Sequence, residues 1–119
     1  MAPRCLFCGR RPVEHHHATG RPAAGEAYLD PRLVVPLCRR HHVREHELLR
    51  RLGLDALAPG ADALEHRLVR LLDLLGRCAE HGHPFILEPR SPYGSPATGL
   101  RDLLLEVVEA LAERGRAAA

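Results

Sequence analysis

Two pairs of residues in the first half of the chain have the types and the spacing of zinc ligands. Cys5 and Cys8 are separated by two residues, as are Cys38 and His41, and positions 9–37 lie between the pairs. Thiolates and imidazoles favour tetrahedral zinc, and one turn can present both donors of a pair. Four protein ligands leave no open coordination position, so we expect this set to hold a structural zinc ion.

The cysteines also allow two other interpretations. A disulfide framework is disfavoured because the N-terminal residues lack the apolar core of an export signal. A thioredoxin-like redox motif is disfavoured because no βαβ pattern surrounds Cys5 and Cys8. Cys78 lies on the apolar side of a leucine-rich segment, and we expect it to be a buried small hydrophobic residue.

Five further histidines form two groups that can serve a second metal ion. His42 and His46 are four residues apart, which places both imidazoles on one helix face at the separation that two ligands of one ion require. His15, His16 and His17 are consecutive; on a strand, His16 points to the face opposite to its neighbours. We predict a second metal site here. The alternative is a polar helix face and a solvated loop.

Two short strands and a helix are predicted to position these groups. Residues 12–17 form an extended stretch, and residues 18–25 have the Gly and Pro content of a loop. Residues 33–37 are the best strand, and because Pro36 cannot donate a hydrogen bond we expect this strand to be an edge or to end there. After Cys38 the pattern becomes helical, and Gly53 is a typical helix stop.

The remainder of the chain is predicted to contain two leucine-striped helices. Asp62 and Glu65 resemble a capping box at the start of the first, and Gly82 closes it. Residues 83–96 are too rich in proline for regular structure, and Ser95 with Pro96 resembles a cap and first turn. The predicted apolar faces contain Leu64, Leu68, Leu71, Leu72, Leu75 and Cys78, and then Leu100, Leu103, Leu104, Val107, Val108 and Leu111.

Composition and charge limit the class of protein. With 119 residues the chain is one small domain, and no apolar run approaches the roughly 18 residues that cross a bilayer, so we expect a soluble cytoplasmic protein without membrane contact. The net charge of +2 comes from 17 arginines, no lysine and 15 acids. Residues 1–51 hold ten of the arginines and five of the acids. Such a positive half suits a polyanion and a metal.

The segments CLFCGR, EHHHATGR and LVVPLCRRHHVREH resemble the zinc-containing branch of the HNH endonuclease family, over about Cys5 to His46. The resemblance implies an α+β, mainly helical fold. Its first unit, residues 1–54, would be a ββα-metal, treble-clef-like zinc unit. Residues 55–119 lie outside the resemblance; we expect a helical hairpin that packs on this unit or pairs with a second copy of the chain.

Site residues follow from the resemblance by position. His16, His42 and His46 would hold a catalytic divalent ion (Zn²⁺, Mn²⁺, Ni²⁺, Co²⁺ or Mg²⁺), and His17 would be the general base. His41 would replace the usual fourth cysteine of the structural zinc site. The chain contains no Asn, although the family uses one to brace the loop beside the base. Asp30 is the candidate replacement.

The implied function is a DNA endonuclease that hydrolyses phosphodiester bonds with a His base and a single catalytic metal. Arginines around both sites suit phosphate contacts, namely Arg10, Arg21, Arg39, Arg40 and Arg44, with Arg4 and Arg11 nearby. One alternative is a non-catalytic treble-clef zinc module that binds nucleic acid or protein, favoured by the lack of Asn. The other is a metal-sensing or metal-storage protein, which would exchange more than two ions.

Overall fold

A computed structural model describes residues 3–81 and 96–118. Within them lie two strands, β1 (Glu14–His17) and β2 (Val34–Leu37), and four helices: α1 (Arg21–Ala24), α2 (Arg39–Arg51), α3 (Ala63–Glu80) and α4 (Pro96–Ala118). The protein is mainly helical with one small antiparallel sheet, which confirms the coarse part of the predicted fold class. The treble-clef assignment and the boundary near residue 54 stay predictions.

The two strands pair with a register that buries one histidine of the triplet. His15 lies opposite Pro36, and His16 lies opposite Val35. His16 is 2% exposed and Val35 is fully buried, whereas His15 is exposed. The sheet has only these two strands in the described part of the chain, so both are edges and Pro36 is tolerated. Alternation along β1 therefore sends His16 inward, as predicted.

The segment between the strands is more ordered than the predicted loop. It forms the short helix α1 and two 3-10 turns, Gly25–Leu29 and Pro31–Leu33. Pro22 lies in the first turn of α1, where its missing N–H leaves no helical bond unmade. Ala23 and Ala24 are buried. The predicted loop at residues 18–25 was therefore wrong for the residues of α1. Pro and Gly are also common in short helices that have proline in the first turn and glycine at the C-terminal cap.

The helix boundaries follow local signals. Gly53 has a φ of +70° just after α2, the left-handed conformation that glycine adopts at low cost. The Asp62 carboxylate accepts hydrogen bonds from the backbone N–H groups of Leu64 and Glu65 at 2.9 and 3.0 Å, so α3 begins at its predicted cap. The predictions for Gly82, residues 83–95 and the Ser95 cap lie outside the described residues.

One hydrophobic core joins the helices to the strands. Helices α3 and α4 pack on each other, and α4 also contacts β2. The core cluster contains Leu6, Phe7, Leu33, Val35, Leu37, Leu71, Leu74, Leu100, Leu103 and Val107. Two predicted core residues are exposed: Leu72 by 51% and Val108 by 45%. Leu74 is buried instead, because with 3.6 residues per turn it shares the face of Leu71 and Cys78.

Two ion pairs connect the middle and the last part of α4 to other parts of the chain. Arg32 bonds both Asp30 and Glu106 of α4, at 2.7 and 2.8 Å, and Arg114 contacts Asp62 at 2.6 Å. No helix in the described ranges combines the length and the apolar character that a membrane span requires.

Candidate metal centres

Three cysteines and one histidine come together as the sequence predicted. One ligand atom from each of Cys5, Cys8, Cys38 and His41 lies within 4.8 Å of the others; we call this set the Cys/His cluster. Cys8 Sγ is 3.8 Å from Cys38 Sγ, and His41 Nδ1 is 3.2 Å from Cys38 Sγ and 3.7 Å from Cys5 Sγ. Tetrahedral zinc, with Zn–S of ~2.3 Å and Zn–N of ~2.0 Å, requires S···S of ~3.8 Å and S···N of ~3.6 Å. The four donors therefore fit a zinc ion.

Backbone hydrogen bonds shape the turn that carries the first two thiols. Gly9 N–H donates to the Cys5 carbonyl oxygen, and Cys5 N–H donates to the Arg10 carbonyl oxygen, both at 2.9 Å. Gly9 has a φ of +74°, which closes the turn without strain. Leu6 N–H donates to the Pro36 carbonyl oxygen at 2.8 Å. This last bond fixes the turn against β2, just before Cys38.

Local electrostatics favour the metal-binding forms of Cys5 and His41 but not that of Cys8. Burial raises the pKa of the Cys5 thiol, but the backbone N–H groups around it, that of Cys38 first, outweigh burial and lower its net pKa. For Cys8, burial raises the pKa further than the Arg10 N–H lowers it. Burial, followed by the neighbouring His81 and arginines, lowers the pKa of His41. A neutral imidazole is the form that binds a metal.

The second set of predicted ligands also converges. One nitrogen from each of His16, His42 and His46 lies within 4.8 Å of the others; we call these residues the three-histidine cluster. The ring centroids of His16 lie 5.3 Å from His42 and 5.1 Å from His46. The Nε2 atoms of His42 and His46 are 3.2 Å apart. Strand β1 supplies one ligand and one face of α2 supplies the other two.

His16 is the most buried of the three histidines. Burial first, then the charges of Arg70 and the neighbouring histidines, lowers its pKa to about 3. The ring is therefore neutral at physiological pH. Its Nδ1 atom is buried without a hydrogen-bond partner among the described residues. A buried imidazole nitrogen without a hydrogen bond, in a group of three imidazoles, is free to serve as a metal ligand.

Two carboxylates that the sequence analysis did not select contact the three-histidine cluster. Glu14 Oε1 lies 3.0 Å from His42 Nδ1, and Asp55 Oδ1 lies 2.7 Å from His46 Nδ1. Ionised carboxylates only accept hydrogen bonds, so each Nδ1 must carry the proton and donate it. In the neutral rings both Nε2 atoms then present lone pairs to each other. Two lone pairs at 3.2 Å repel each other unless a cation lies between them.

His17, the predicted base, lies outside both clusters. Its ring stacks on Tyr28 with a centroid distance of 4.3 Å and an angle of 8°. The guanidinium carbon of Arg21 is 4.5 Å from the centroid of the same tyrosine ring. Burial, then the charges of His15 and Arg21, lowers the pKa of His17, so its neutral form prevails at pH 7. Tyr28 was not foreseen, since a lone tyrosine in a loop carries no recognisable signal.

Asp30, the candidate brace, holds the loop through Arg32. Its carboxylate accepts a hydrogen bond from the Arg32 backbone N–H at 2.9 Å and binds the guanidinium at 2.7 Å. The carboxylate thus caps the 3-10 turn that leads into β2. The pKa of Asp30 is lowered, chiefly by the hydrogen bonds from Arg32. Its interactions rigidify the loop, but they are made with Arg32 and not with His17.

The predicted arginine contacts divide among three places. Arg21 lies beside Tyr28, and Arg39 pairs with Glu14 at 3.4 Å. Arg40 and Arg44 line a cavity of about 360 Å³ that also contacts His41. Arg10 lies close enough to His41 to lower its pKa. Arg40 and Arg44 form no ion pair within the described part of the chain.

Cys78 has the structural role that was predicted. The residue is fully buried in the core, and burial raises the pKa of its thiol to about 12.

Comparisons with protein-family models, with curated proteins and with solved structures found no match.

Proposed function

We propose that the protein is a metal-dependent DNA endonuclease, with a structural zinc ion in the Cys/His cluster and a catalytic divalent ion in the three-histidine cluster. The convergence of His16, His42 and His46 is the observation that carries this proposal. It supports the set of ligands implied by the resemblance to HNH endonucleases. Three protein ligands leave positions for a phosphate oxygen and water, whereas the four of the Cys/His cluster do not.

The chemistry of the donors also favours particular ions. Three imidazoles suit borderline ions such as Zn²⁺, Mn²⁺, Co²⁺ and Ni²⁺ better than Mg²⁺, which prefers oxygen ligands. When bound, such an ion would supply Lewis-acid stabilisation of the charge that develops on the phosphate. Two of the imidazoles are already oriented by carboxylates.

His17 would act as the general base. Its imidazole takes a proton from water as the water oxygen attacks phosphorus, and the P–O3′ bond breaks with its electron pair leaving on the 3′ oxygen. The lowered pKa of His17 keeps it in the proton-accepting form. Tyr28 limits rotation of the ring by stacking on it. Arg21 and Arg39, on either side of β1's histidines, would bind phosphates of the DNA strand.

A second candidate is a zinc module that binds nucleic acid without cutting it. The stacking of His17 on Tyr28 favours this alternative, because one face of the proposed base is already covered. The absence of Asn favours it as well. In this case the histidines and arginines would only contact the nucleic acid.

The deciding experiment is nicking of supercoiled plasmid DNA by the wild type and by His17→Ala. Both proteins carry one zinc per chain and receive Mn²⁺ or Ni²⁺. We expect the wild type to nick, and His17→Ala to lose about 100-fold or more in rate, as for removal of a general base. His15→Ala is the matched control, since His15 is an exposed neighbour on the same strand. Equal nicking by wild type and His17→Ala would exclude the mechanism, while DNA binding without nicking by either would favour the non-catalytic module.

A further inference from the structure

The hydrogen bonds of the three-histidine cluster extend beyond its ligands. In His42 and in His46, Nδ1 lies within hydrogen-bond distance of a carboxylate, and Nε2 lies close to Nε2 of the other imidazole. Metal-binding histidines are commonly oriented in this way, because the carboxylate fixes the tautomer and increases the basicity of the ligand nitrogen. Glu14 comes from β1, next to the histidine triplet, whereas Asp55 comes from the link between α2 and α3.

Asp55 is itself held by arginines. Arg50 Nε lies 3.4 Å from Asp55 Oδ2. Arg50 thus pairs with the carboxylate oxygen of Asp55 that does not contact His46. Arg70 of α3 is 4% exposed. Its Nη1 donates to the Asp55 carbonyl oxygen at 3.5 Å and its Nη2 donates to the His17 carbonyl oxygen at 3.1 Å. One buried guanidinium thus connects the end of β1 to the residue that orients a ligand on α2.

We infer that Glu14 and Asp55 are positioning residues that orient His42 and His46 for metal binding, and that Arg70 fixes Asp55 relative to β1. The inference rests on the proposed metal binding by the three-histidine cluster. Asp55 and Arg70 lie outside the segment that resembles HNH endonucleases. The helical part of the chain therefore contributes to the site and does more than pack against it.

Metal affinity is the readout that a merely structural role would not change. The full-length, zinc-loaded protein is titrated with Co²⁺, and visible absorption reports the ion; a thiolate charge-transfer band would reveal exchange into the Cys/His cluster. We expect Asp55→Asn and Glu14→Gln each to weaken Co²⁺ binding by about 10- to 100-fold. Asp55→Glu, which keeps the carboxylate, should recover part of the loss. Asp62→Asn is the matched control, since Asp62 caps α3 and pairs with Arg114 but does not touch the cluster.

A second measurement requires no substitution. In wild type with Zn²⁺ bound at both clusters, ¹H–¹⁵N spectra of the imidazoles at pH 7.5 should show His42 and His46 protonated on Nδ1. Protonation on Nε2, or wild-type Co²⁺ affinity in both Asp55→Asn and Glu14→Gln, would overturn the inference and leave the metal site intact. If the wild type binds no second ion, the proposed function fails and the inference fails with it.

Discussion

Leu6 donates its backbone N–H to the carbonyl oxygen of Pro36 over 2.8 Å. Leu6 lies between the first two thiols, and Pro36 lies on the strand that pairs with β1 and precedes Cys38. The Cys/His cluster and the three-histidine cluster are thus built on the same two-stranded sheet. A contact that fixes the position of β2, such as the Leu6–Pro36 hydrogen bond, therefore also fixes the position of His16 on the paired strand β1.

Loss of zinc should therefore unfold the N-terminal part of the chain. Metal binding in small zinc units contributes folding free energy, because the ligands are not assembled in the unfolded chain. We expect Cys8→Ser to remove zinc and to abolish the cooperative thermal transition of this region; elemental analysis and circular dichroism measure both. Cys8 is exposed, so the change disturbs no core packing. The control variant Cys78→Ala should retain zinc and lower the free energy of unfolding by only about 1 kcal/mol. Retention of zinc by Cys8→Ser would contradict the assignment of Cys8 as a zinc ligand.

Removal of one ligand should abolish the second ion without affecting zinc. We expect His16→Ala and His46→Ala to weaken binding of Co²⁺ or Mn²⁺ by more than about 100-fold, more than the loss expected for the carboxylates that orient the ligands. One zinc per chain should remain after treatment with a chelator that strips the second ion. His15→Ala should bind both ions normally. A second ion retained equally by all three variants would place it elsewhere.

The hydrophobic face of α3 can be tested with two adjacent leucines. Leu71 is fully buried and Leu72 is 51% exposed. Leu71→Ala should lower the free energy of unfolding by about 2–5 kcal/mol, since it leaves a cavity where α3 meets α4. Leu72→Ala should change it by less than about 0.5 kcal/mol. Chemical denaturation measures the difference, and equal losses would contradict the observed face.

Stability should also depend on pH through Asp62. Hydrogen bonds from the Glu65 backbone N–H and from Arg114 lower the pKa of this carboxyl. A depressed pKa in the folded state stabilises the protein above the ordinary value near 4, and this stabilisation is lost as pH falls through the folded-state pKa. We expect Asp62→Ala to lower the melting temperature by a few degrees at pH 7. The gap between variant and wild type should narrow as pH falls below the ordinary carboxyl value near 4, and it should be smallest once the folded-state carboxyl is protonated.

Arg40 and Arg44 provide a test of nucleic-acid binding. Neither forms an ion pair with another described residue, so within the described ranges neither has to break an ion pair to bind phosphate. If they contact DNA, Arg40→Ala and Arg44→Ala should each reduce the slope of log K against log salt by about 1, without changing sequence preference. Arg116→Ala is a suitable control because Arg116 pairs with Glu113 on α4. Unchanged slopes in the first two variants would exclude their contact with the backbone of DNA.

The ligands could be predicted from sequence because their geometry is local. Two residues between Cys38 and His41 place both at the start of α2, and a spacing of four places His42 and His46 on one face of that helix. Alternation in β1 decides which histidine of the triplet turns inward. In each case a short stretch of regular structure fixes the relative positions of the donors.

The residues around the ligands could not be predicted, since they depend on tertiary packing. Asp55 reaches His46 because α2 ends at Arg51 and the chain turns back at Gly53, and Arg70 reaches His17 across 53 positions of sequence. Leu72 was placed in the core because leucines occupy several faces of α3, so composition alone does not identify the buried one. The stacking partner of His17 depends on the 3-10 turn at Gly25–Leu29, most of which lies beyond the predicted loop at residues 18–25.

His41 and His42 are consecutive on α2 yet serve different clusters. Adjacent residues of a helix point about 100° apart, so α2 presents His41 to the Cys/His cluster and His42 to the three-histidine cluster. A rotation of α2 that moves one of these histidines out of its cluster also moves the other out of its cluster. If both clusters bind an ion, an ion in either cluster is expected to hold α2 in the orientation that the other cluster requires, so the two binding events should be cooperative although the clusters share no residue.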